Sequence, residues 1–281
     1  MSATSFPLED FKAPSLTLLE RLLYLQYRYF APHFEGAENV DPARPALFVG
    51  NHAIFGVVDS PLFVTELYRH TGVYPRSLGD HVHFRTPVWG KTLLKYGAVP
   101  GTRDNCRALM DAGQFVLVFP GGAREVAKRQ GEQHRLVWKQ RTGFARMAIE
   151  HGYDILPFAS VGCDVSYDIL FDGNDFKQSW WGKRLLQNDR INRALRGGDV
   201  FMPIARGLGP TLLPRPEPFW FKVGKPIATA HLQGREGDDI VLWELREQVA
   251  GAINGMIADL SQRRDQALEE LPRWHRWLLK R

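Results

Sequence analysis

Cysteine is scarce in this chain. Only Cys106 and Cys163 occur among its 281 residues, and neither lies in a C-x-x-C pair or in another spacing typical of metal ligands. Two cysteines cannot form the dense disulfide framework of a small secreted domain. The sequence therefore predicts a protein of a reducing compartment.

Long apolar runs are missing as well. No uninterrupted apolar stretch approaches the roughly 20 residues that cross a bilayer. The opening residues MSATSFPLEDFKAP contain acids and prolines, where a secretory signal needs a basic start and an apolar centre. We therefore expect neither a membrane-spanning helix nor an export signal.

The chain nevertheless has enough apolar side chains for a substantial core, at 44% hydrophobic composition. Short apolar runs suited to buried strands, namely ALFVG, FVLVF and ILPFASV, alternate with SPLFVTELYRH and TPVWGKTLLKYG, which open with Ser-Pro or Thr-Pro helix starts. This alternation predicts an α/β fold in which helices flank a central, largely parallel sheet.

The expected organisation has two parts. Residues 1–40 should form an N-terminal amphipathic helical segment, and residues 41–281 the main domain. Within the main domain, the stretch at about 172–218 is rich in glycine and proline and predicts an insertion or a lid. A helix over about 239–271 should close the fold.

Both ends of the chain have an interfacial character. Trp274 and Trp277 lie among arginines near the C-terminus, and the N-terminal segment places apolar side chains at helical spacing, namely Leu16, Leu19, Leu23, Tyr27 and Phe30. Such helices either pack on the domain or lie among the headgroups of a bilayer. Both interpretations stay open at this point.

Positive charge is concentrated in two places. Residues 124–146 contain seven basic and two acidic side chains, a net charge equal to the +5 of the whole chain, and residues 273–281 add four basic side chains. Such clusters suit phosphates of a nucleotide-bearing thioester or of anionic headgroups, although a solvated loop is the alternative. No nucleic-acid-binding motif accompanies the charge, so nucleic acid is not an expected partner.

The clearest chemical signal is FVGNHAIFGVVD, residues 48–59, where an apolar run stops at His52 and Asp59 follows. A nearby carboxylate can hydrogen-bond one imidazole nitrogen, so that the other accepts a proton from a hydroxyl. Alternatively, His52 is a core histidine, and Asp59 only favours the positive end of a helix that starts at Ser60 and Pro61. A second polar segment, FPGGAREVAKR, also follows an apolar run, and two such strand ends indicate one shared site.

Four ordered blocks within residues 45–165 resemble the glycerolipid, or lysophospholipid, acyltransferase family. They are the His and Asp of NHAIFGVVD, the arginine block GAVPGTRDN, the block FPGGARE and the proline-containing strand DILPFA. The resemblance implies an O-acyltransferase that moves a fatty acyl group from acyl-CoA or an acyl carrier protein to a lipid hydroxyl. It implies no cofactor, no metal and no covalent enzyme intermediate.

The sequence differs from the commonest family pattern at two places, and these differences indicate one branch of the family. The commonest family pattern has four residues between His and Asp, whereas six separate His52 from Asp59, and Gly121 replaces the glutamate of the commonest Phe-Pro-Glu-Gly block. This version is similar to the branch of diacylglycerol acyltransferase-like proteins and plant phytyl ester synthases, which implies a neutral acceptor such as diacylglycerol or a long-chain alcohol. Acylation of a lysophospholipid such as lysophosphatidic acid is the close alternative.

The resemblance also implies roles for individual residues. His52 acts as general base and Asp59 stabilises the imidazolium, while the backbone N–H groups around Gly121 and Gly122 face the developing oxyanion. The substrate phosphates are expected to contact Arg103 and Arg124, whereas Glu125 belongs either to the site or to an ion pair with a neighbouring arginine. The acceptor chemistry favours a cytoplasmic protein held peripherally on the inner face of a membrane.

Three other classes remain open. A hydrolase is disfavoured because the chain has no G-x-S-x-G elbow. A metal enzyme would use His81 and His83 with Asp80 or His52, yet alternate residues of an extended segment point to opposite faces. A non-catalytic lipid-binding protein on the membrane surface is the third, since the His-to-Asp spacing is unusual.

Overall fold

A computed structural model describes residues 11–271 and 277–279, and within them a seven-stranded sheet lies between helices. The strands are β1 His33–Glu35, β2 Ala46–Gly50, β3 Arg76–Gly79, β4 Val99–Pro100, β5 Val116–Val118, β6 Asp154–Val161, β7 Asp168–Phe171, β8 Ile204–Arg206 and β9 Trp220–Val223. The α-helices are α1 Leu16–Leu22, α2 Tyr24–Phe30, α3 Asp59–Thr71, α4 His81–Phe84, α5 Pro87–Lys95, α6 Arg103–Asp111, α7 Gly122–Val126, α8 Gly143–His151, α9 Gly173–Gln178, α10 Trp180–Leu186, α11 Asp189–Leu195 and α12 Asp239–Glu270. Short 3-10 turns lie at Ala37–Asn39, Cys163–Ser166 and Ala230–Leu232.

The strand order in the large sheet is β1-β9-β6-β2-β5-β3-β4. Its neighbouring strands are parallel except β6 and β9, which pair antiparallel. The expected α/β architecture with a largely parallel central sheet is therefore confirmed. Because β2, β5 and β6 are parallel neighbours, their carboxyl ends meet at one edge, which is where a site is expected in such a sheet.

The core has a layer on each face of the sheet, and alternation along β2 separates the two. Leu47 and Val49 point into the layer beneath α6, α8 and α12, whereas Phe48 points into the layer beneath α3. All five residues of β2 are buried, as expected for a strand covered on both faces. A central strand packed in this way is a rigid support for the residues that follow it.

The N-terminal helical segment packs on the domain with one face. It forms two helices that meet at Leu23 rather than one, and Leu19 and Phe30 are buried while the Tyr27 hydroxyl donates to Glu66 of α3 at 2.8 Å. At the other end of the chain, Trp274 lies outside the described residues. Trp277 is described and is 70% exposed.

The stretch expected to be an insertion or a lid lies beside the large sheet. It contains three short helices, α9 to α11, and β8, which pairs antiparallel with β7. The closing helix, expected over 239–271, spans Asp239–Glu270. Within residues 11–271 and 277–279, no helix is both long and apolar enough to cross a bilayer.

Candidate active site

His52 lies immediately beyond the carboxyl end of β2, and the residue before it fixes its position. The buried side chain of Asn51 donates to the Ser160 carbonyl and accepts from the Ser160 N–H, both at 2.8 Å. These two bonds tie the end of β2 to the neighbouring strand β6 after the regular ladder stops. Asn51 thus orients the backbone from which the imidazole projects, a role that the sequence analysis missed.

The two polar strand ends meet, as the sequence predicted. The His52 ring stacks on Phe119, the first residue of the FPGGARE block, with ring centroids 3.9 Å apart and planes within 8°. Phe119 directly follows β5, the parallel neighbour of β2. The catalytic candidate and the glycine block therefore belong to one site.

The chain turns sharply after His52. Phe55 and Gly56 both have positive φ angles, 63° and 64°. The Gly56 backbone runs so close to the imidazole that a Cβ on this residue would lie 2.5 Å from Cε1 and 2.6 Å from Nε2 of His52. This left-handed turn accounts for the long His-to-Asp spacing, and glycine at position 56 leaves room for the ring.

The His52 imidazole is held in the neutral form. Burial lowers its pKa to about 3, with the positive charge of Lys128 adding to the effect and that of His83 contributing less, whereas the negative charge of Asp164 opposes it. Nδ1 is buried and has no hydrogen-bond partner. The ring is therefore available as a proton acceptor across the physiological pH range, but it is intrinsically a weak one.

Asp59 is buried at the first position of α3 and makes bonds typical of a helix start. Its carboxylate accepts the backbone N–H groups of Ala53, Ser60 and Asp59 itself, while burial, and next the charge of Asp164, raise its pKa to about 6. No hydrogen bond joins it to His52 within the described part of the chain, so the expected bond to an imidazole nitrogen is wrong in this structure. The helix N-terminus holds the carboxylate instead. Stabilisation of an imidazolium by Asp59 stays a prediction.

Beside the His52 loop lies a buried ion pair that the sequence analysis did not identify. Asp164 accepts the N–H groups of Ile54 and His134, both at 2.7 Å, and lies 3.4 Å from Lys128 Nζ. Lys128 is completely buried and also donates to the Arg135 carbonyl at 3.2 Å. A single carboxylate thus connects the loop after His52 to the basic segment.

Much of the positive charge at 124–146 is neutralised inside the fold. Arg124 is 4% exposed and donates to Glu132 and to the Ala127 carbonyl, so its guanidinium is held internally. This arrangement counts against the predicted contact of Arg124 with a phosphate. Other basic side chains of the segment have carboxylate partners too: Lys128 with Asp164, and Arg129 and Lys139 with Asp199.

Two arginines remain better placed for an anion. Arg103 opens α6 just after β4, is exposed, and forms no ion pair in the ranges that the structure covers. Arg141 donates to the Pro120 carbonyl at 2.6 Å, and its Nη1 would lie 3.1 Å from a Cβ on Gly122. Arg141, which the sequence analysis treated only as part of the basic segment, therefore borders the glycine block.

Gly121 is required because Glu125 occupies the adjacent space. A Cβ on Gly121 would lie 2.1 Å from Oε2 of Glu125, one helical turn further on. Glu125 is fully buried, and its Oε2 has no hydrogen-bond partner. It forms no ion pair with an arginine of the described residues, so that alternative is wrong. A carboxyl group is thus retained next to the position where the commonest block has glutamate.

The two glycines differ as candidate oxyanion donors. The Gly122 N–H donates to the Phe119 carbonyl at 3.0 Å, so it is occupied within the loop. The Gly121 N–H makes no hydrogen bond in the described structure. Of the two predicted donors, Gly121 is therefore the one left for a substrate oxygen.

A cavity lies at the other end of the strands. It measures about 380 Å³ and is lined by the residues that begin β2 and β6, Ala46 and Asp154, together with Arg44, His151 and Tyr153. Its lining is mainly polar and does not include His52. His52 therefore lies outside this cavity.

Comparison with known proteins places this geometry in a family. The acyltransferase family model matches residues 31–161. Phytyl ester synthase 1 of Arabidopsis thaliana, a chloroplastic protein, is 30% identical over 239 residues, which cover 78% of this chain and 33% of that protein. The chain belongs to the acyltransferase family. The resemblance drawn from the four blocks is confirmed.

Other members and a solved structure agree. Diacylglycerol O-acyltransferase 2A of Umbelopsis ramanniana is 25% identical over 243 residues, covering 81% of this chain and 65% of that protein. The crystal structure of the 1-acyl-sn-glycerophosphate acyltransferase PlsC from Thermotoga maritima superposes with a TM-score of 0.52 at 16% identity, covering 88% of this chain and 79% of that one, and shows the same fold. This acyltransferase-family chain spans about a third of the length of the phytyl ester synthase.

The alternative of a metal site can be tested on the described residues. They contain no group of three or more His, Cys, Asp or Glu side chains that could hold a metal ion. His81 and His83 lie in the short helix α4, capped by Asp80, and not in an extended segment, so that expectation was wrong.

The buried Glu125 carboxyl makes stability depend on pH. Burial raises its pKa from 4.5 to about 7, opposed chiefly by the charge of Lys128. Because the folded-state pKa is the higher one, this stabilising contribution is complete below pH 4.5 and is lost as the pH rises to about 7. We expect Glu125→Gln to remove about 3 kcal/mol from the fall in unfolding free energy between these pH values.

Urea unfolding at pH 4.5, 5.5, 6.5 and 7.5 measures that effect. The matched control is Glu244→Gln, which changes an exposed glutamate of α12 and should follow the wild-type profile. Parallel profiles for Glu125→Gln and the wild type would show that Glu125 is ionised throughout.

Proposed function

We propose that the protein transfers a fatty acyl group from an acyl thioester to the hydroxyl of a lipid, with His52 as general base. The observation that carries this proposal is the neutral imidazole at the end of β2, stacked on the first residue of the glycine block. Membership of the acyltransferase family supports the reaction class.

In the proposed reaction, His52 Nε2 takes the proton of the acceptor hydroxyl while its oxygen attacks the thioester carbonyl. The oxyanion that forms can accept the Gly121 N–H. Collapse of the intermediate breaks the carbon–sulfur bond, and the thiolate recovers the proton from the imidazolium. No acyl-enzyme is needed, because both substrates react directly. General-base action of this kind contributes about 10²- to 10⁴-fold in rate.

The acceptor proposed is neutral, such as diacylglycerol or a long-chain alcohol. Arg124 is buried and paired with Glu132, so its guanidinium is not accessible to a substrate phosphate. The names of two relatives, a phytyl ester synthase and a diacylglycerol O-acyltransferase, refer to neutral alcohol acceptors. Exposed Arg103, with Arg141, is proposed to contact phosphates of a CoA or carrier-protein donor.

Competition among acceptors tests this assignment. Purified protein is given labelled palmitoyl-CoA with diacylglycerol, hexadecanol and lysophosphatidic acid in separate and mixed reactions. We expect esterification of a neutral alcohol to dominate. Preference for lysophosphatidic acid would overturn the acceptor while keeping the reaction class, and binding of all three without product would favour the non-catalytic lipid-binding alternative.

We further propose that the N-terminal helices rest on a membrane surface, with the protein peripheral on the cytoplasmic side. Leu18, Leu22 and Leu25 repeat at helical spacing and are exposed, with Arg21 and Arg28 exposed beside them. The opposite face packs on the domain. Apolar side chains flanked by arginines match an interface whose lipids carry negative headgroups.

The double variant Leu22→Glu and Leu25→Glu should lower the fraction bound to vesicles containing phosphatidylglycerol by about tenfold, because it places two charges where apolar side chains would enter. Co-sedimentation with vesicles measures this fraction. Ile240→Glu, which changes an equally exposed apolar residue at the start of α12, is the control and should bind like the wild type. Equal loss in both proteins would exclude the N-terminal helices as the docking surface.

A further inference from the structure

The turn that follows His52 is held by contacts from two distant segments. Ile54 donates its N–H to Asp164 at 2.7 Å, and Phe55 donates its N–H to the Val126 carbonyl at 3.1 Å. The Val126 side chain also borders Gly56, beside the imidazole. Consecutive backbone groups just after the proposed base are therefore anchored outside their own loop.

Asp164 is built to be such an anchor. It lies in the 3-10 turn after β6, is 3% exposed, and shares its two oxygens between Ile54 on one side and His134 with Lys128 on the other. Lys128 neutralises a carboxylate that would otherwise be costly to bury. Asp59 also accepts an N–H of this loop, from Ala53, but its remaining bonds are to the start of α3, and no lysine pairs with it in the described structure.

We propose that Asp164, with Lys128 as its buried counter-ion, is the positioning residue that holds the His52 loop in its reactive geometry. This inference rests on the proposed function, since His52 is the base there. The pair also acts on the ring through space: Lys128 lowers the pKa of His52, and Asp164 raises it. The Asp164 charge thus partly offsets that of Lys128, whose effect on the pKa of His52 is the larger of the two.

Asp164→Asn tests the inference, with Asp172→Asn as the matched control. Asp172 is also a buried aspartate that accepts a backbone N–H of the basic segment, at Gln130, but it does not contact the His52 loop. We expect Asp164→Asn to lower kcat by about 10- to 100-fold with KM for the thioester within about twofold, since small displacements of a catalytic group have effects of this size. Asp172→Asn should lower Tm while leaving kcat unchanged.

The NMR resonances of the His52 ring supply a readout that needs no turnover. The ring resonances should shift in Asp164→Asn and remain unchanged in Asp172→Asn. This result is expected even if the wild type transfers no acyl group. Failure of the proposed function can therefore be distinguished from failure of this inference. If Asp164→Asn does not fold, Lys128→Met with Asp164→Asn removes both buried charges and leaves one of the two N–H groups without its acceptor. Wild-type kcat and ring resonances in the folded variant, or equal changes in Asp172→Asn, would overturn the inference.

Discussion

His52→Ala should reduce acyl transfer by about 10³-fold or more while the protein stays folded. His52 is the proposed base at the end of β2, and general-base catalysis contributes about 10²- to 10⁴-fold. The structural cost is small, because the ring is half-buried and its main packing contact is one stacked aromatic side chain. We expect Tm to fall by only about 2–4 °C.

Initial rates with palmitoyl-CoA and the preferred alcohol measure the change. His231→Ala, which removes an exposed histidine at the far end of the fold, should keep the wild-type rate. Thioester binding should survive in His52→Ala, because the substitution removes the base and leaves Arg103 in place. A rate within tenfold of the wild type would exclude His52 from the chemistry.

Gly56→Ala should have the second largest effect, about a 10²-fold loss of kcat, without removing any chemical group. Its Cβ would lie 2.5 Å from Cε1 and 2.6 Å from Nε2 of His52 and 2.8 Å from Cγ1 of Val126. These distances are too short, so the imidazole must move, and displacement of a base by about 1 Å can cost about 10²-fold in rate. The substitution also strains a backbone with φ of 64°, by about 1–2 kcal/mol.

Gly72→Ala separates these two effects. Gly72 ends α3 with φ of 73°, and nothing lies within 4 Å of a Cβ built on it. The control therefore has similar backbone strain but no contact with His52, so both variants should share the loss of stability due to strain, and only Gly56→Ala should lose kcat. Equal rates in the two proteins would show that the ring tolerates the added methyl group.

Local patterns were sufficient to predict the sheet and the meeting of the two polar strand ends. ALFVG became β2 because five apolar residues suit a strand covered on both faces, and parallel pairing with β5 then placed His52 beside Phe119. The long helix α12 was also predicted from its sequence pattern. Each of these features depends on residues close together in the chain.

The partners of the site residues could not be predicted in the same way. Asp164 is 110 residues from Ile54, and nothing in its own neighbourhood marks it as the anchor of the His52 loop. Asp59 looked like a dyad member, but a helix that begins one residue earlier than Ser60 captures its carboxylate. Long-range pairing makes Asp164 the anchor of the His52 loop, and the start of α3 binds the Asp59 carboxylate. Both contacts form only when the chain folds.

The surroundings of Gly121 could not be predicted from the sequence alone. Gly121 suggested that the acceptor site lacks a carboxyl group, whereas in the structure the Glu125 carboxyl lies against Gly121. The charge clusters were similarly ambiguous, because Asp199 pairs with Arg129 and Lys139 of the basic segment although it lies 70 and 60 residues further along the chain. Composition counts charges, but only the fold shows which of them remain available to a ligand.

His52 is proposed to enter the acyl transfer as an unprotonated base, and kcat/KM for the preferred alcohol at pH 5 and pH 8 measures whether it does. With the pKa of His52 lowered to about 3, the base stays competent at both pH values, and we predict that kcat/KM changes by less than about tenfold. A histidine with its ordinary pKa near 6.5 would be mostly protonated at pH 5. An acid loss of about 30-fold centred near pH 6.5 would contradict this proposal if it persists in Asp59→Asn and in Glu125→Gln, which remove the buried carboxyls with pKa values of about 6 and about 7.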